Sequence, residues 1–307
     1  MGSGSLTSSL TMGKTLEVTA DRAASIDDLV AAGELLDMRF QPGRSSLSLR
    51  AAKLLHALVR AAGADAGLPK VHRIALSKLN YDHHLSKEEV LDIVREMFGV
   101  IVELQVVNSK GKRATKVGPL LSDVERDEEK DGELRYELSP VLRATLKNSN
   151  HWAVLSRKAV MSFQSRYSLR LYELLSRRVG LDRISSEYFS TDDIRAVFGV
   201  PHNKLPRWQD LKANVIEPAI VEVSQLTGLV VKYQPVKTGR SVVGINLVWR
   251  EKDAQARKAA SRELDRSSIG RAARRTGTVE AIVDQAPSSD LAAALESLGR
   301  SLAGKLR

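Results

Sequence analysis

Apolar residues between positions 190 and 249 recur first at helical and then at strand spacing. Ser190-Thr191-Asp192-Asp193 has the pattern of a helix N-cap with an acidic side chain three residues on. Ile194, Val197 and Phe198 form an apolar stripe behind it, and Gly199 followed by Pro201 ends it. A longer helix is predicted over 206–226, where Trp208, Leu211, Val215, Ala219, Val223 and Leu226 recur at steps of three and four. Its other face carries Arg207, Asp210, Asn214 and Glu217. Pro218 removes one backbone donor from the helix interior, so a kink is expected near Asn214. Residues 229–233 and 242–249 are β-rich runs, joined by the basic turn Pro235-Val236-Lys237-Thr238-Gly239-Arg240. Two helices and a hairpin in this order, with a polar face on the longer helix, suit a winged helix that binds DNA.

Upstream, residues 1–24 are rich in Ser, Thr and Gly without a sustained period and read as a flexible arm. A helix is predicted over 46–62, with Leu47, Ala51, Leu54, Leu55, Leu58 and Val59 on one face. Ile74-Ala75-Leu76 is a strand candidate, and Ser86 caps an amphipathic helix through Val90, Ile93, Val94, Met97 and Phe98, closed by Gly99. Three β-rich runs follow, over 100–107, 117–124 and 134–138, and read as one small antiparallel sheet; the acidic residues 125–133 form a solvated turn between the last two.

Ser48-Leu49-Arg50 matches Ser168-Leu169-Arg170 at a spacing of 120, and at the same spacing Leu54 and Leu55 align with Leu174 and Leu175. Both copies open the same succession of helices and hairpin, so the fold class is α+β, two tandem winged helices. The first domain is placed at 25–152 and the second at 153–250. Residues 251–307 read as a charged tail, partly helical or disordered, with Leu291, Leu295, Leu298 and Leu302 at helical steps near its end.

Charge adds a partner. The chain carries a formal net charge of +10 over 307 residues, which favours nucleic acid first and an anionic membrane surface second. From 155 to 250, fifteen Lys and Arg face eight Asp and Glu, so the second domain holds most of the excess. Arg207, Gln209 and Asn214 near the start of the long helix suit base edges or phosphates, while Lys212 lies nearer the apolar side and can snorkel. Lys237 and Arg240 in the hairpin turn suit backbone or minor-groove contact. Arg166, Arg170 and Arg177 fall in a helical row that suits phosphates; the alternative is a solvated face with an internal Glu173–Arg177 pair.

A chain with 43% hydrophobic and 27% charged residues excludes neither an enzyme nor a binding module, so chemistry has to be sought in motifs. Tyr81, Asp82, His83 and His84 lie together, but the two histidines are adjacent rather than spaced to point one way from a strand, as a nicking site needs. There is no glycine-rich loop with Lys-Ser/Thr for nucleoside triphosphate phosphates. No catalytic residue, metal or cofactor is assigned. Zero cysteines exclude disulfides and fit a reducing cytoplasm, and no apolar run approaches the roughly 18–20 residues of a membrane span.

The stretch Ser165-Arg166-Tyr167-Ser168-Leu169-Arg170-Leu171-Tyr172-Glu173-Leu174-Leu175 resembles the first helix of the second domain in iteron-binding plasmid replication initiators. Trp208-Gln209-Asp210-Leu211-Lys212-Ala213-Asn214-Val215-Ile216-Glu217-Pro218-Ala219 resembles their recognition helix, and residues 237–245 their wing. The resemblance is strong over 155–250, general in the first domain and absent in both tails; members usually carry more basic residues where Ala213 and Asn214 stand. It implies two winged helices that bind direct repeats of double-stranded DNA at a plasmid origin, help to open it, and recruit the host initiator and replicative helicase. It also implies a homodimer through the first-domain sheet, near Val102 and Val106, that represses the initiator's own gene. Arg207, Gln209, Lys212 and Asn214 would then read DNA, with Arg166, Tyr167 and Arg170 holding its backbone. Two other readings compete: a winged-helix transcriptional regulator at a palindromic operator, and a nicking or phosphoesterase enzyme around Tyr81, Asp82 and His83.

Overall fold

The computed structural model describes residues 13–40, 46–83, 87–108, 110–128, 132–180, 185–201 and 203–275. Ser86, the side chains of Tyr81, Asp82, His83 and His84, positions 129–131 of the acidic turn and the leucines at 291–302 lie outside the described residues.

A helix comes first, α1 (Lys14–Asp21), so residues 14–21 are not an arm. Its start is fixed from far along the chain: the Gly13 N–H donates to the Lys147 carbonyl at 2.9 Å, and the Thr15 hydroxyl to the Ser149 hydroxyl at 2.9 Å. Tertiary bonds rather than a local period hold this helix, which is why its sequence did not show it. β1 (Asp28–Ala32), α2 (Gly33–Leu36) and β2 (Arg39–Phe40) lead into the first winged helix.

That unit runs α3 (Leu49–Ala62), β3 (His72–Ala75), α4 (Leu76–His83), α5 (Lys87–Gly99), the hairpin β4 (Val102–Val107) and β5 (Arg113–Gly118), and the hairpin β6 (Leu121–Arg126) and β7 (Glu133–Leu138). The Ser48 side chain caps α3 by accepting from the Ala51 N–H, and Leu54, Leu55, Leu58 and Val59 are buried along the predicted face. The single sheet read from the β-rich runs is in fact two, ordered β2-β4-β5 and β3-β7-β6. The run over 117–124 breaks at Pro119 and Leu120, whose carbonyls accept from the hydroxyl and N–H of Ser139 and so turn the chain into the second sheet.

After α6 (Pro140–Asn148), β8 (Trp152–Ser156) pairs antiparallel with β1, Leu29 opposite Leu155. The second winged helix follows α7 (Arg157–Ser162) and consists of α8 (Arg166–Val179), β9 (Ser186–Ser190), α9 (Thr191–Phe198), α10 (Trp208–Leu211), a π-helical stretch (Lys212–Ile216), α11 (Glu217–Leu226), β10 (Leu229–Thr238) and β11 (Ser241–Glu251). β11 lies between β10 and β9, as β7 lies between β6 and β3. In each unit the returning strand of the last hairpin thus pairs with the strand before the second helix. Leu54, Leu55, Leu174 and Leu175 are all buried, and one hydrophobic cluster runs through both units. α12 (Ala254–Asp265) follows, and the described residues after it hold α13 (Arg271–Arg275). No described helix is long and apolar enough to cross a membrane.

Candidate nucleic-acid interface

The second winged helix builds its outward face from a tightly specified start. The Ser190 hydroxyl accepts from the Asp193 N–H at 3.1 Å while the Asp193 carboxylate accepts from the Ser190 hydroxyl at 2.7 Å and N–H at 3.3 Å, a complete capping box. The Ser190 hydroxyl, above all, holds the Asp193 carboxyl below the usual carboxylate range. α9 ends at Gly199 with φ +62°, where a Cβ would lie 2.5 Å from that of Ser46. Left-handed backbone and close approach both require glycine there.

The turn from α9 to α10 contains Leu205 at φ +51°, the one non-glycine residue with positive φ among the described residues. The Arg195 guanidinium donates to the carbonyls of Lys204, at 2.9 Å, and of Leu205. Left-handed backbone costs a leucine about 1–2 kcal/mol, so the bracing by Arg195 and the packing of Leu205 on the core must offset it.

Leu211, Val215, Ala219, Val223 and Leu226 are buried as the spacing predicted, with Trp208 partly buried. In place of a simple kink, residues 212–216 wind as a π-helix, the Glu217 N–H donating to the Lys212 carbonyl five residues back. Pro218 explains this: it has no N–H to offer the Asn214 carbonyl, so the ordinary ladder cannot continue through that point. Arg207, Gln209, Ala213 and Asn214 are exposed on the outer face. Arg207 sits at the N-cap of α10 with its side chain 81% exposed and its Nε 2.9 Å from the Asp210 carboxylate. The Asn214 side-chain amide donates to the Asp210 carbonyl at 2.9 Å. Lys212 turns aside, its ammonium 3.4 Å from the Glu217 carboxylate, which also accepts from the Tyr233 hydroxyl at 3.2 Å. Burial, then the Glu217 charge, pushes the Tyr233 phenol up to about 12. This chain of contacts ties the helix to β10.

The hairpin is longer than its apolar runs suggest. Thr238 pairs with Ser241, which leaves Gly239, at φ +60°, and Arg240 as a two-residue turn. Pro235 and Val236, read as turn, are in β10, an edge strand where a missing donor breaks no ladder bond. Lys237 and Arg240 are exposed at the tip. The hairpin β6–β7 of the first winged helix differs: Glu128 pairs with Arg126, Glu125 and Asp127 pair with Arg135, and Glu133 pairs with Arg73 of β3.

The predicted arginine row breaks up. Arg170 is buried, its guanidinium paired with Glu173 and bonded to the carbonyls of Met38 at 2.8 Å and Val197 at 3.2 Å, so it is removed from the DNA-contact candidates. Glu173 also binds His56 at 2.6 Å and not Arg177, which pairs with Asp37. Arg166 and Tyr167 remain half-buried at the start of α8, the guanidinium 4.8 Å from the ring centroid and 2.9 Å from the Ser46 hydroxyl. Helical spacing placed these arginines on one face; nothing in it could show that the first winged helix covers part of that face. Arg195 and Leu205 gave no local signal beyond the Pro206 that follows.

Two family models match the chain, one described as initiator replication protein WH1, over residues 35–176, and one as initiator Rep protein WH2, over residues 190–249. No curated protein matches it. Among solved structures, the Pi initiator protein in complex with iteron DNA is 15% identical with a TM-score of 0.52, over 74% of this chain and 98% of that one, and shares its fold. Domains 2 and 3 of RctB are 8% identical with a TM-score of 0.40, over 77% of this chain and 98% of theirs. A WH1 domain of a replication protein isolated from a multiple sclerosis patient is 13% identical with a TM-score of 0.24, over 33% of this chain and 86% of its own.

Proposed function

Because the chain belongs to the initiator replication protein family, we propose that it starts plasmid DNA replication by binding direct repeats at an origin. Each winged helix takes one half of each repeat. The observation that carries this reading is the outward face of α10 and the π-helical stretch, where Arg207, Gln209 and Asn214 stand exposed beside the basic hairpin tip of Lys237 and Arg240. Such side chains bond base edges in a major groove and phosphates beside it. Lys212 serves the backbone once drawn from Glu217, and Arg166 and Tyr167 add contacts from the start of α8. The net charge of +10 supports an anionic ligand, and the iteron complex of the Pi initiator, which shares this fold, supports double-stranded repeats as that ligand.

Opening of the origin, recruitment of a host initiator and replicative helicase, and repression of its own gene as a dimer, in the cytoplasm, belong to the same reading. β5 supports the dimer: it is an edge strand of the sheet β2-β4-β5, with Val117 exposed, and an open edge accepts a further strand.

A nuclease footprint of the purified protein on DNA flanking its own gene tests the proposal. Regular protections spaced by about two helical turns are expected. A single symmetric protection would overturn it in favour of a regulator at a palindromic operator.

A further inference from the structure

One buried ionic group joins the two winged helices. Arg170 of α8 is 4% exposed and Glu173, one turn on, is 1% exposed. Arg170 donates to the Met38 and Leu36 carbonyls of the segment that leads into the first unit, at 2.8 and 3.4 Å, and to the Val197 carbonyl of α9 at 3.2 Å. Glu173 accepts from Arg170 and is bonded at 2.6 Å to His56 of α3. Burial alone would raise the Glu173 carboxyl, and the adjoining Arg170 and His56 more than reverse this, so it stays ionised.

The same boundary is fixed again beside the recognition helix. The Ser46 hydroxyl donates to the Gly199 carbonyl at 3.0 Å and accepts from Arg166 at 2.9 Å. Gly199 closes α9 and opens the turn that aims α10. Bonds from the first unit therefore reach the main chain that places the second unit's reading surface.

An apolar interface can slide or rotate at small cost, because its attraction has no direction. A buried guanidinium bonded to named carbonyls has one satisfactory position, and a shift leaves charge buried without partners, which is strongly destabilising. Buried ionic groups are best attested as devices that fix register. We infer that the Arg170–Glu173–His56 group is a spacing gauge: it holds the two reading surfaces at one separation, and so sets the spacing between half-sites that a single chain can occupy with both. Spacing is thereby selected by contacts inside the protein that touch no DNA. The inference rests on the proposed binding of a repeat by both winged helices.

DNA turns once in about 10–10.5 base pairs, so inserting about five between half-sites carries one to the opposite face of the duplex. A rigidly joined pair must then release one half and lose the gain of double attachment, which is on the order of a hundredfold or more. The test uses the full chain and duplexes carrying one footprinted repeat, with the natural spacing, with about five extra base pairs, or with the second half-site alone. Wild type should fall to the level of the isolated half-site on the expanded duplex. Arg170→Met, and separately His56→Ala, should bind the isolated half-site as wild type does, bind the natural repeat about tenfold or more weakly, and lose most of the penalty for expansion. His56→Ala leaves the Arg170–Glu173 pair in place and decides the matter if Arg170→Met no longer folds. Wild type indifferent to expansion, or His56→Ala with the full wild-type penalty, overturns the gauge while leaving repeat binding intact. Absence of any protected repeat overturns the functional reading and the gauge with it.

Discussion

Arg195 and Leu205 face each other across the turn before the recognition helix, the guanidinium of one bonded to the carbonyl of the other. The bond holds a left-handed leucine backbone in place, so its loss should let the turn relax and misaim α10. Arg195→Ala is expected to cost about 1–2 kcal/mol in thermal or denaturant unfolding, with a further loss of specific DNA binding. Lysine should not rescue it, since one ammonium cannot span the two carbonyls as the planar fork does. An unchanged unfolding midpoint in Arg195→Ala would show that core packing of Leu205 suffices.

Pro218→Ala restores the donor whose absence fits the π-helical stretch. Interior prolines cost helices about 3 kcal/mol, so the variant should melt no lower than wild type. Reversion to α-helix would turn the start of the helix by one residue, about 100°, relative to its end. Specific affinity should drop by on the order of tenfold, measured beside the melting curve. Full specific affinity in a variant that melts higher would separate the π-helix from DNA reading.

Arg207 is held by Asp210 in the free protein and has to leave it to reach a base. Arg207→Ala should weaken the cognate repeat roughly five- to hundredfold and random DNA far less. Equal losses on the two DNAs would assign it to phosphate. Asp210→Asn, which releases the guanidinium and removes a negative charge, should strengthen binding to both.

Lys237 and Arg240 at the exposed hairpin tip are expected to neutralise one phosphate each. Alanine at either position should lower the slope of log affinity against log salt by about 0.9. A wild-type slope in the double variant would take the wing off the DNA. The acidic surroundings of the hairpin β6–β7 predict the opposite there: Glu125→Gln should not weaken binding.

His72 lies buried against Tyr136, with ring centroids 5.5 Å apart and its Nε2 without a hydrogen-bond partner. Burial first, then the Lys70 charge, lowers its pKa from the ordinary 6.5. The folded state therefore resists protonation more than the unfolded state does. Stability is complete above 6.5 and is lost as pH falls from there toward the folded value. His72→Phe should narrow the gap between melting points at about pH 7.5 and about pH 5.5. An unchanged gap would place the acid sensitivity elsewhere.

The local devices of the second winged helix were legible in its sequence: the Ser190 capping box, the Gly199 terminus, the stripe from Leu211 to Leu226 and the break caused by Pro218. Each depends on residues within one or two turns of one another. Features set by distant chain were not. The helix at Lys14–Asp21 depends on Lys147 and Ser149, and the division into two sheets turns on Ser139 reaching back to Pro119 and Leu120. Arg170 is the sharpest case: its period matches that of Arg166 and Arg177, and only the first unit's covering chain distinguishes it. Among the site candidates, Arg207, Gln209, Asn214, Lys237 and Arg240 are exposed, while Lys212 is half-covered by its pairing with Glu217.

Arg170 grips Leu36, Met38 and Val197 through their carbonyl oxygens, atoms that every amino acid possesses. The clamp is thus blind to which side chains stand at those three positions but sensitive to where the chain runs. Substitutions there should drift freely as far as the core permits, whereas adding or deleting a single residue between 33 and 38 should disable the protein on its repeats while sparing the second winged helix. Descendants of such a gene would keep their length in this segment long after its wording had changed.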